Sequence, residues 1–279
     1  MAPLRSLLLL SLVTTLAALN HAVAASSNNA QAPLLIDDDD DDYVCTHPPY
    51  KVLMVSKSPL VIYINDFITP EERAHLQRIT KDTFSHSAVT SRGSVSGRQL
   101  HSVRTSQSTS VSPDAVVRCI EDRALSFQGY DVPRSHLEPL QLVKYAVSQR
   151  YNFHTDWFTD PAHSTSQVGG NRVSSFFAYV HVANDTTGGG TNFPLLDSPS
   201  DERWCDLGIV DCDEQYENGV TFLPREGNAI YWENLLPDGR GDERTLHAGL
   251  PVTSGGGKIG MNIWTRQLPL GKDIRGEAD

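Results

Sequence analysis

From Leu140 onward the sequence consists of short strand-like segments separated by turn residues, and this pattern restricts the fold more than any other feature. The segments are rich in β-branched and aromatic residues, and glycine- and proline-containing turns lie between them. They span residues 140–145, 173–182, 220–223, 228–232 and 259–264. A series of short strands after helical segments is typical of an α+β protein built on a β-sandwich or barrel.

Helical patterns precede these strands. Thr69, Pro70 and Glu72 supply an N-cap, a proline at the first helical position and a capping-box glutamate, so a helix is expected to follow the short strand 60–64. Residues 112–114 repeat this start signal. Apolar residues at helical spacing then predict the buried face of a second helix: Val116, Ile120, Ala124 and Phe127.

Residues 85–112 lie between the two predicted helices and show no hydrophobic period. They are rich in serine, threonine, glycine and arginine, so we expect a long loop. Long loops in compact domains often act as binding loops or lids.

The N-terminal residues are expected to be a targeting segment and a leader rather than part of the fold. Residues 1–25 combine Arg5, an apolar run of about thirteen residues and then small residues, which predicts a secretory signal peptide; that run is too short for a membrane anchor. Residues 26–44 contain six consecutive aspartates and predict a disordered acidic leader. The folded domain is therefore expected over 45–279, without stable membrane insertion, in the endoplasmic reticulum lumen or outside the cell.

The charge of the chain excludes one class of partner. Its formal net charge is −11, and without the six aspartates it is −11 + 6 = −5. Nucleic-acid binding needs a basic face, so no nucleic-acid partner is expected.

The four cysteines suit an oxidising compartment. An even count predicts two disulfides, although three pairings remain open. Cys205 and Cys212 form the expected local pair, and Cys45 with Cys119 would then tie the start of the domain to a helix. Zinc binding is the rival interpretation, but no Cys-x-x-Cys pair is present.

The strongest functional pattern is His154-x-Asp156 together with His247. On an extended strand, residues two apart point to the same face, so His154 and Asp156 are expected to converge. A second imidazole from His247 would complete the two-histidine, one-carboxylate set of non-haem Fe(II) oxygenases. Lys258 lies in an apolar, strand-like run, and a dicarboxylate co-substrate would provide the partner that a buried ammonium needs.

Several motifs occur in an order that resembles the catalytic domain of prolyl 4-hydroxylases. The resemblance extends over about residues 59–267. Upstream, Arg104-Thr105-Ser106 is similar to the mobile substrate loop of that family. The motifs are Leu140-Gln-Leu-Val-Lys-Tyr145, Tyr151-x-x-His154-x-Asp156, Thr191-Asn-Phe-Pro194, Leu246-His247 and Lys258-x5-Trp264.

This resemblance implies a double-stranded β-helix, or jelly-roll, core with flanking N-terminal helices. It implies Fe(II) on His154, Asp156 and His247, and 2-oxoglutarate held by Lys258 and Tyr145. The implied reaction is hydroxylation of proline in a peptide, with O2 and 2-oxoglutarate consumed, succinate and CO2 released, and ascorbate as a further cofactor. The residues implied to line the peptide cleft and take part in catalysis are Tyr151, Arg172 and Trp264.

Two alternatives remain open at the level of sequence. The Gly-Gly-Glu-Thr turn of the family is Gly188-Gly189-Gly190-Thr191 here. Because that turn is expected near the substrate, the difference leaves room for a non-proline or small-molecule substrate. A non-catalytic jelly-roll binding module is a third hypothesis, but such a module would not need the three ligands and Lys258 together. Oligomeric state cannot be read from these patterns.

Two further residues have expected roles outside the iron site. Asn184-Asp185-Thr186 is an N-glycosylation sequon, so modification is expected if this segment is a loop of a secretory protein. His181 lies inside an apolar strand and is expected to be a buried core histidine rather than a fourth ligand.

Overall fold

The predicted strands form two facing antiparallel sheets in a computed structural model of the chain. The structure describes residues 43–87, 104–129, 131–198, 203–213, 215 and 218–276. The expected signal peptide, nearly all of the acidic leader and the middle of the predicted loop lie outside the described residues. The described residues belong to one compact unit, Asp39–Asp279.

The strands and helices are numbered here in chain order. The strands are β1 (Lys51–Lys57), β2 (Leu60–Asn65), β3 (Ser85–His86), β4 (Gln107–Ser110), β5 (Gln141–Tyr145), β6 (Tyr151–His154), β7 (Arg172–Val182), β8 (Thr187–Gly188), β9 (Thr191–Phe193), β10 (Val220–Phe222), β11 (Ala229–Glu233), β12 (His247–Gly249), β13 (Val252–Ser254) and β14 (Lys258–Arg266). The α-helices are α1 (Pro70–Ile79), α2 (Ala115–Gln128), α3 (Arg203–Asp206) and α4 (Lys272–Arg275).

The larger sheet has eight strands in the order β1-β2-β11-β7-β14-β5-β4-β3 among the described residues. The smaller sheet has four, in the order β10-β9-β12-β6, and β13 pairs separately with β8. Phe193 and Phe222 of the smaller sheet pack against Trp232 and Tyr63 of the larger sheet, with ring centroids 5.3 and 5.8 Å apart. The sandwich interior is therefore filled by aromatic rings from both sheets.

Strand β7 is buried on both faces, which explains its nearly continuous apolar sequence. Phe176 and Ala178 contact the core beneath the helices, whereas Phe177 and Tyr179 contact the core between the sheets. Successive side chains of a strand point to opposite faces, so one strand serves both cores. Its neighbours β14 and β11 are fixed in register on either side.

Both predicted helices are present and begin where the capping pattern indicates. The Thr69 side chain accepts a hydrogen bond from the Glu72 backbone N–H (3.2 Å), and the Glu72 carboxylate accepts one from the Thr69 N–H (2.8 Å). Asp114 caps α2 by accepting from the Val117 N–H (2.8 Å), and Gly129 ends it in the left-handed conformation. Both helices pack on the outer face of the larger sheet.

The prediction of a loop over 85–112 is wrong at both ends. Residues 85–86 and 107–110 form β3 and β4, which pair with each other, and β4 extends the larger sheet beyond β5. These edge strands are short and made of small polar residues, so they carry no hydrophobic alternation that the sequence could show.

Two disulfides join the expected cysteines, Cys45 with Cys119 and Cys205 with Cys212. Among the described residues no helix is both long and apolar enough to cross a membrane.

Candidate active site

Neighbouring strands of the smaller sheet bring His154, Asp156 and His247 together. His154 ends β6 and lies opposite His247, which begins β12, while Asp156 follows β6 by two residues. The Nε2 atoms of His154 and His247 lie 3.8 and 3.9 Å from Asp156 Oδ1. One potential ligand atom from each residue falls within 4.8 Å of the other two, a spacing that suits a single metal ion.

The remaining atoms of these side chains are held by protein partners. The Nδ1–H of His154 donates to the Asn152 carbonyl (2.8 Å), and that of His247 donates to the Thr245 carbonyl (2.9 Å). This tautomer leaves both Nε2 lone pairs available, as in metal-binding histidines whose other nitrogen is hydrogen-bonded. The donor set therefore fits a divalent metal ion such as Fe(II).

The charges at this cluster also suit a divalent cation. Burial favours the protonated form of Asp156, but the adjacent rings of His247 and His154 outweigh it and lower the pKa of Asp156 to about 2. Burial and the nearby His247 lower the pKa of His154 to about 3. At neutral pH the site therefore presents a carboxylate and a neutral His154 imidazole, which are the forms that bind metals.

Asp156 has a second partner that the sequence did not reveal. The indole N–H of Trp264 donates to Asp156 Oδ2 at 2.9 Å. The guanidinium carbon of Arg172 lies over the Trp264 ring, 3.6 Å from its centroid. Arg172 in turn forms two 2.7 Å hydrogen bonds with Glu138. A continuous set of contacts therefore runs from Glu138 to the carboxylate of the cluster.

Lys258 is buried on β14 without a carboxylate partner. Its ammonium hydrogen-bonds the Gly189 carbonyl and lies 4.9, 5.3 and 5.6 Å from the ring centroids of Tyr145, Phe177 and Tyr179. No described acidic side chain pairs with it, and burial lowers the pKa of Lys258 to about 7. A buried cation with only rings and one carbonyl around it fits an anionic ligand such as the far carboxylate of 2-oxoglutarate.

Tyr145 lies next to Lys258, since the two residues are opposite each other in the pairing of β5 with β14. Burial raises the pKa of Tyr145 to about 12, so its phenol stays protonated and can donate a hydrogen bond. Thr191, which hydrogen-bonds Tyr179 at 2.9 Å, adds a hydroxyl at the same end.

A cavity of about 780 Å³ extends from the metal-ligand cluster to Tyr145 and Thr191, and Lys258 is not among the residues that line it. Its wall includes Tyr145, Thr191, His154, Asp156 and His247, together with all three residues expected in the peptide cleft. Those three are Tyr151, Arg172 and Trp264.

Sequence reasoning missed Glu138, and it did not assign Arg104 to the cavity wall. Arg104 lies 4.6 Å above the Tyr151 ring and donates to Ser106 Oγ at 3.0 Å. The only indication in the sequence that Arg104 lies near the substrate was the similarity of residues 104–106 to the mobile substrate loop of the family. Glu138 gave none, because its pairing with Arg172 joins residues 34 positions apart whose spacing follows no local period.

The expectation that His181 is a buried core residue is wrong. Its side chain is 40% exposed and its Nδ1 lies 2.7 Å from Glu226. β7 leaves the core near its end, so the apolar residues that precede His181 do not enclose it.

Gly190 also differs from its expected position beside the substrate. A Cβ atom at this residue would lie 2.6 Å from Thr221 Cγ2 and 3.0 Å from the Phe222 carbonyl oxygen. Both neighbours belong to β10 and neither lines the cavity. Replacement of the family's glutamate by Gly190 therefore changes the packing against β10 and not the wall of the cavity.

Comparison with known proteins agrees with this geometry. The 2OG-Fe(II) oxygenase superfamily model matches residues 140–266. Probable prolyl 4-hydroxylase 4 and prolyl 4-hydroxylase 2 of Arabidopsis thaliana are each 32% identical over 209 residues, covering 74% of this chain and 67% of theirs. The viral collagen prolyl hydroxylase of Paramecium Bursaria Chlorella virus-1, solved as a 2OG complex, aligns with a TM-score of 0.51 and 22% identity over 81% of this chain and 100% of its own.

The structural similarity confirms the expected double-stranded β-helix core with flanking helices. The sequence similarity covers both strands that carry the cluster and the strand that carries Lys258. Fe(II) and 2-oxoglutarate are the cofactor and co-substrate of this enzyme class. The chain belongs to the prolyl 4-hydroxylase family of 2OG-Fe(II) oxygenases.

Proposed function

We propose that this protein hydroxylates proline residues in peptide or protein substrates, with Fe(II), 2-oxoglutarate and O2. One observation carries the proposal. The cluster of His154, Asp156 and His247 lies on the wall of a cavity, and Tyr145 on the same wall packs against the buried ammonium of Lys258. Three protein ligands leave open positions on iron for the co-substrates. Iron with 2-oxoglutarate and O2 supplies the oxidising chemistry that converts a C–H bond to C–OH while 2-oxoglutarate becomes succinate and CO2.

The protein residues bind and orient the reactants. Lys258 and the Tyr145 phenol would hold the far carboxylate of 2-oxoglutarate. The aromatic rings around Lys258 exclude water from that ion pair and so strengthen it.

The cavity wall suits an extended, proline-containing peptide. Its aromatic residues include Tyr151, Phe153, Phe158 and Trp264. Phe153 is half exposed, whereas guanidinium groups lie over the Tyr151 and Trp264 rings. Grooves lined by aromatic residues bind the polyproline II conformation because its extended backbone is already ordered. The paired Arg172 supplies hydrogen-bond donors on the same wall. The names of the Arabidopsis thaliana relatives support a prolyl substrate.

The alternative of a non-proline or small-molecule substrate rested on Gly190. Since that position faces β10, it gives no reason to expect a different ligand in the cavity. The complete ligand set and Lys258 likewise argue against a non-catalytic binding module.

Ascorbate as a reductant and residence in the secretory pathway complete the proposal. The two disulfides and the signal-peptide pattern of residues 1–25 support this location.

The deciding experiment is succinate production from 2-oxoglutarate with Fe(II), ascorbate and O2, with and without a polyproline peptide. We expect peptide-dependent succinate and a gain of one oxygen on proline. Succinate without peptide oxidation would contradict the prolyl substrate, and the absence of succinate from folded, iron-loaded protein would contradict the enzyme.

A further inference from the structure

Asn184 lies at an exposed turn that joins β7 to β8. The Thr186 N–H donates to the Ala183 carbonyl at 2.9 Å, which closes the turn and places Asn184 at its corner. Thr186 and Asp185 are tied to the adjoining glycine loop, through Thr186 Oγ1 to the Gly257 carbonyl (3.0 Å) and the Gly256 N–H to Asp185 Oδ1 (3.0 Å). In the described part of the chain no hydrogen bond engages the Asn184 carboxamide.

The turn lies away from the cavity. None of the residues of this turn, and none of the glycine loop beside it, is among the described residues that line the cavity wall. The residues 184–186 form the one Asn-x-Ser/Thr sequence in the chain. A bulky substituent on Asn184 therefore projects into solvent without closing the active site.

We propose that Asn184 carries an N-linked oligosaccharide. The donor is a polyprenyl-pyrophosphate-linked oligosaccharide of the secretory pathway. The Asn184 Nδ2 bonds to C1 of the sugar as the bond from C1 to the pyrophosphate oxygen breaks, and the amide loses one proton. The proposal rests on the proposed location and is independent of the hydroxylase reaction.

The test is translation of the full chain in the presence of endoplasmic reticulum membranes. Because removal of the signal peptide offsets the mass of one oligosaccharide, the protease-protected chain is compared with itself. A peptide-N-glycosidase should make it migrate faster. Asn184→Gln should abolish the shift. Asn218→Gln is the matched control, because Asn218 is exposed but followed by Gly219 and Val220.

Two outcomes would overturn the assignment. A protease-protected chain with an unmodified Asn184 shows that the turn is not a glycosylation site. A chain that remains unprotected refutes the secretory location, and the glycan assignment with it. Normal succinate production by Asn184→Gln is expected in either case, which separates this proposal from the enzymatic one.

A separate observation concerns Trp264. Its indole N–H donates to Asp156 Oδ2, while Asp156 Oδ1 is the oxygen that lies near both histidine Nε2 atoms. Trp264 therefore holds Oδ2 while Oδ1 faces the two histidines, and the Ser175 hydroxyl is a further hydrogen-bond partner of this carboxylate. The Arg172 guanidinium covers the indole face, and Glu138 fixes that guanidinium, so the indole has little freedom to rotate.

We infer that Trp264 is a positioning residue that holds Asp156 for binding the metal through Oδ1. This inference rests on the proposed iron site. Loss of a hydrogen-bond partner behind a metal ligand lowers metal affinity about 10- to 100-fold. Trp264→Phe removes the N–H but keeps a ring for Arg172 to stack on, so it isolates the hydrogen bond.

The experiment measures Co(II) affinity and its visible absorption spectrum, with Co(II) in place of Fe(II). Trp264→Phe should weaken binding by about tenfold or more and change the spectrum. Trp157→Phe is the matched control, because the Trp157 indole lines the same cavity but donates to the Asp242 carbonyl (3.2 Å) rather than to a ligand.

Thermal unfolding of the metal-free variants checks that both are folded. Equal Co(II) affinity and spectra for wild type and Trp264→Phe would overturn the inference while leaving the proposed function intact. A wild-type chain that binds no Co(II) would instead refute the iron site itself.

Discussion

Two regions of the active site are built in opposite ways: the metal-ligand cluster and the pocket around the Lys258 ammonium. The pocket is formed by the rings of Tyr145, Phe177 and Tyr179 and by the Gly189 carbonyl. In the cluster, each side chain already has a polar partner behind it: a backbone carbonyl for His154 and His247, and the Trp264 N–H for Asp156. In the pocket, the Lys258 ammonium has aromatic rings and one carbonyl as neighbours, and no carboxylate of the described residues pairs with it. The side chains of the cluster are therefore already oriented for a metal ion, whereas the ammonium of the pocket still needs an anionic partner.

The comparison shows that the arrangement that favours ligand binding lowers the stability of the fold in the pocket but not in the cluster. A preorganised cluster gains metal affinity because its rings need not be reoriented. A buried ammonium without an anion lowers the stability of the ligand-free fold. Binding of 2-oxoglutarate relieves this cost, and that relief contributes to the affinity of the pocket. The two regions should respond differently to substitution and to pH.

The largest effect is expected for His154→Ala in the cluster. Loss of a hydrogen-bond partner of a metal ligand lowers metal affinity about 10- to 100-fold. Loss of the ligand itself should therefore lower Co(II) affinity by more than about 100-fold and abolish turnover. Titration calorimetry measures it. His181→Ala, at the exposed histidine paired with Glu226, is the control. Unchanged affinity in His154→Ala would remove this residue from the cluster.

Lys258→Met should have the next largest effect, and in two directions. Removal of one partner of a buried ion pair costs about 3–5 kcal/mol, so 2-oxoglutarate should bind about 150- to 5,000-fold more weakly while Co(II) affinity is retained. The ligand-free variant should also melt at a higher temperature than wild type, because the buried charge is gone. Weaker Co(II) binding in this variant would contradict the separation of the two regions.

The pH dependence tests the same contrast without a mutation. Burial lowers the pKa of Lys258 from 10.5 to about 7, so between these values the unfolded chain holds a proton that the folded chain releases. Lys258 therefore makes the ligand-free fold more stable as pH rises through this range.

Binding of 2-oxoglutarate should show the opposite trend, because it needs the ammonium form. Above about pH 7 its affinity should fall by up to about tenfold per pH unit. Calorimetry on wild type and Lys258→Met checks both trends, and neither Lys258-dependent trend should survive in the variant. A 2-oxoglutarate affinity independent of pH from about 6 to 9 would refute the assignment of Lys258.

The smallest effect is expected for Tyr145→Phe, which removes one hydroxyl from the pocket and leaves the ring beside Lys258. A single hydrogen bond contributes about 0.5–1.5 kcal/mol, so 2-oxoglutarate should bind about 2- to 12-fold more weakly. Phe177, on the other side of the ammonium, already lacks a hydroxyl, so Phe177→Leu is the control for ring packing alone. A loss as large as that of Lys258→Met would contradict this ranking.

Much of the fold could be predicted from local patterns. The capping residues Thr69 and Asp114 set the helix starts, and β-branched runs predicted strands such as β7 and β14. The His-x-Asp pattern predicted that His154 and Asp156 converge, although not for the reason given, because β6 ends at His154 and Asp156 lies two residues beyond the strand. The register of β6 with β12 supplies the third member. These features depend on neighbours in sequence or on a periodic pattern.

The contacts that could not be predicted join distant residues without a period. Glu138 with Arg172 and Trp264 with Asp156 arise from the packing of separate elements, which no local propensity encodes. The error at His181 has a related cause, since an apolar sequence does not tell where a strand leaves the core. The direction in which Gly190 faces likewise depends on β10, thirty residues further along the chain.

The carbonyl partners of the two histidines have a consequence for mutational robustness. Both acceptors are main-chain atoms two residues before the ring, at Asn152 and Thr245, so substitution of either neighbouring side chain does not delete them. Asp156 depends instead on side chains, those of Trp264 and Ser175, which single codon changes can remove. Random mutagenesis should therefore tolerate more varied residues at the exposed position 152 than at 264, although both support metal ligands.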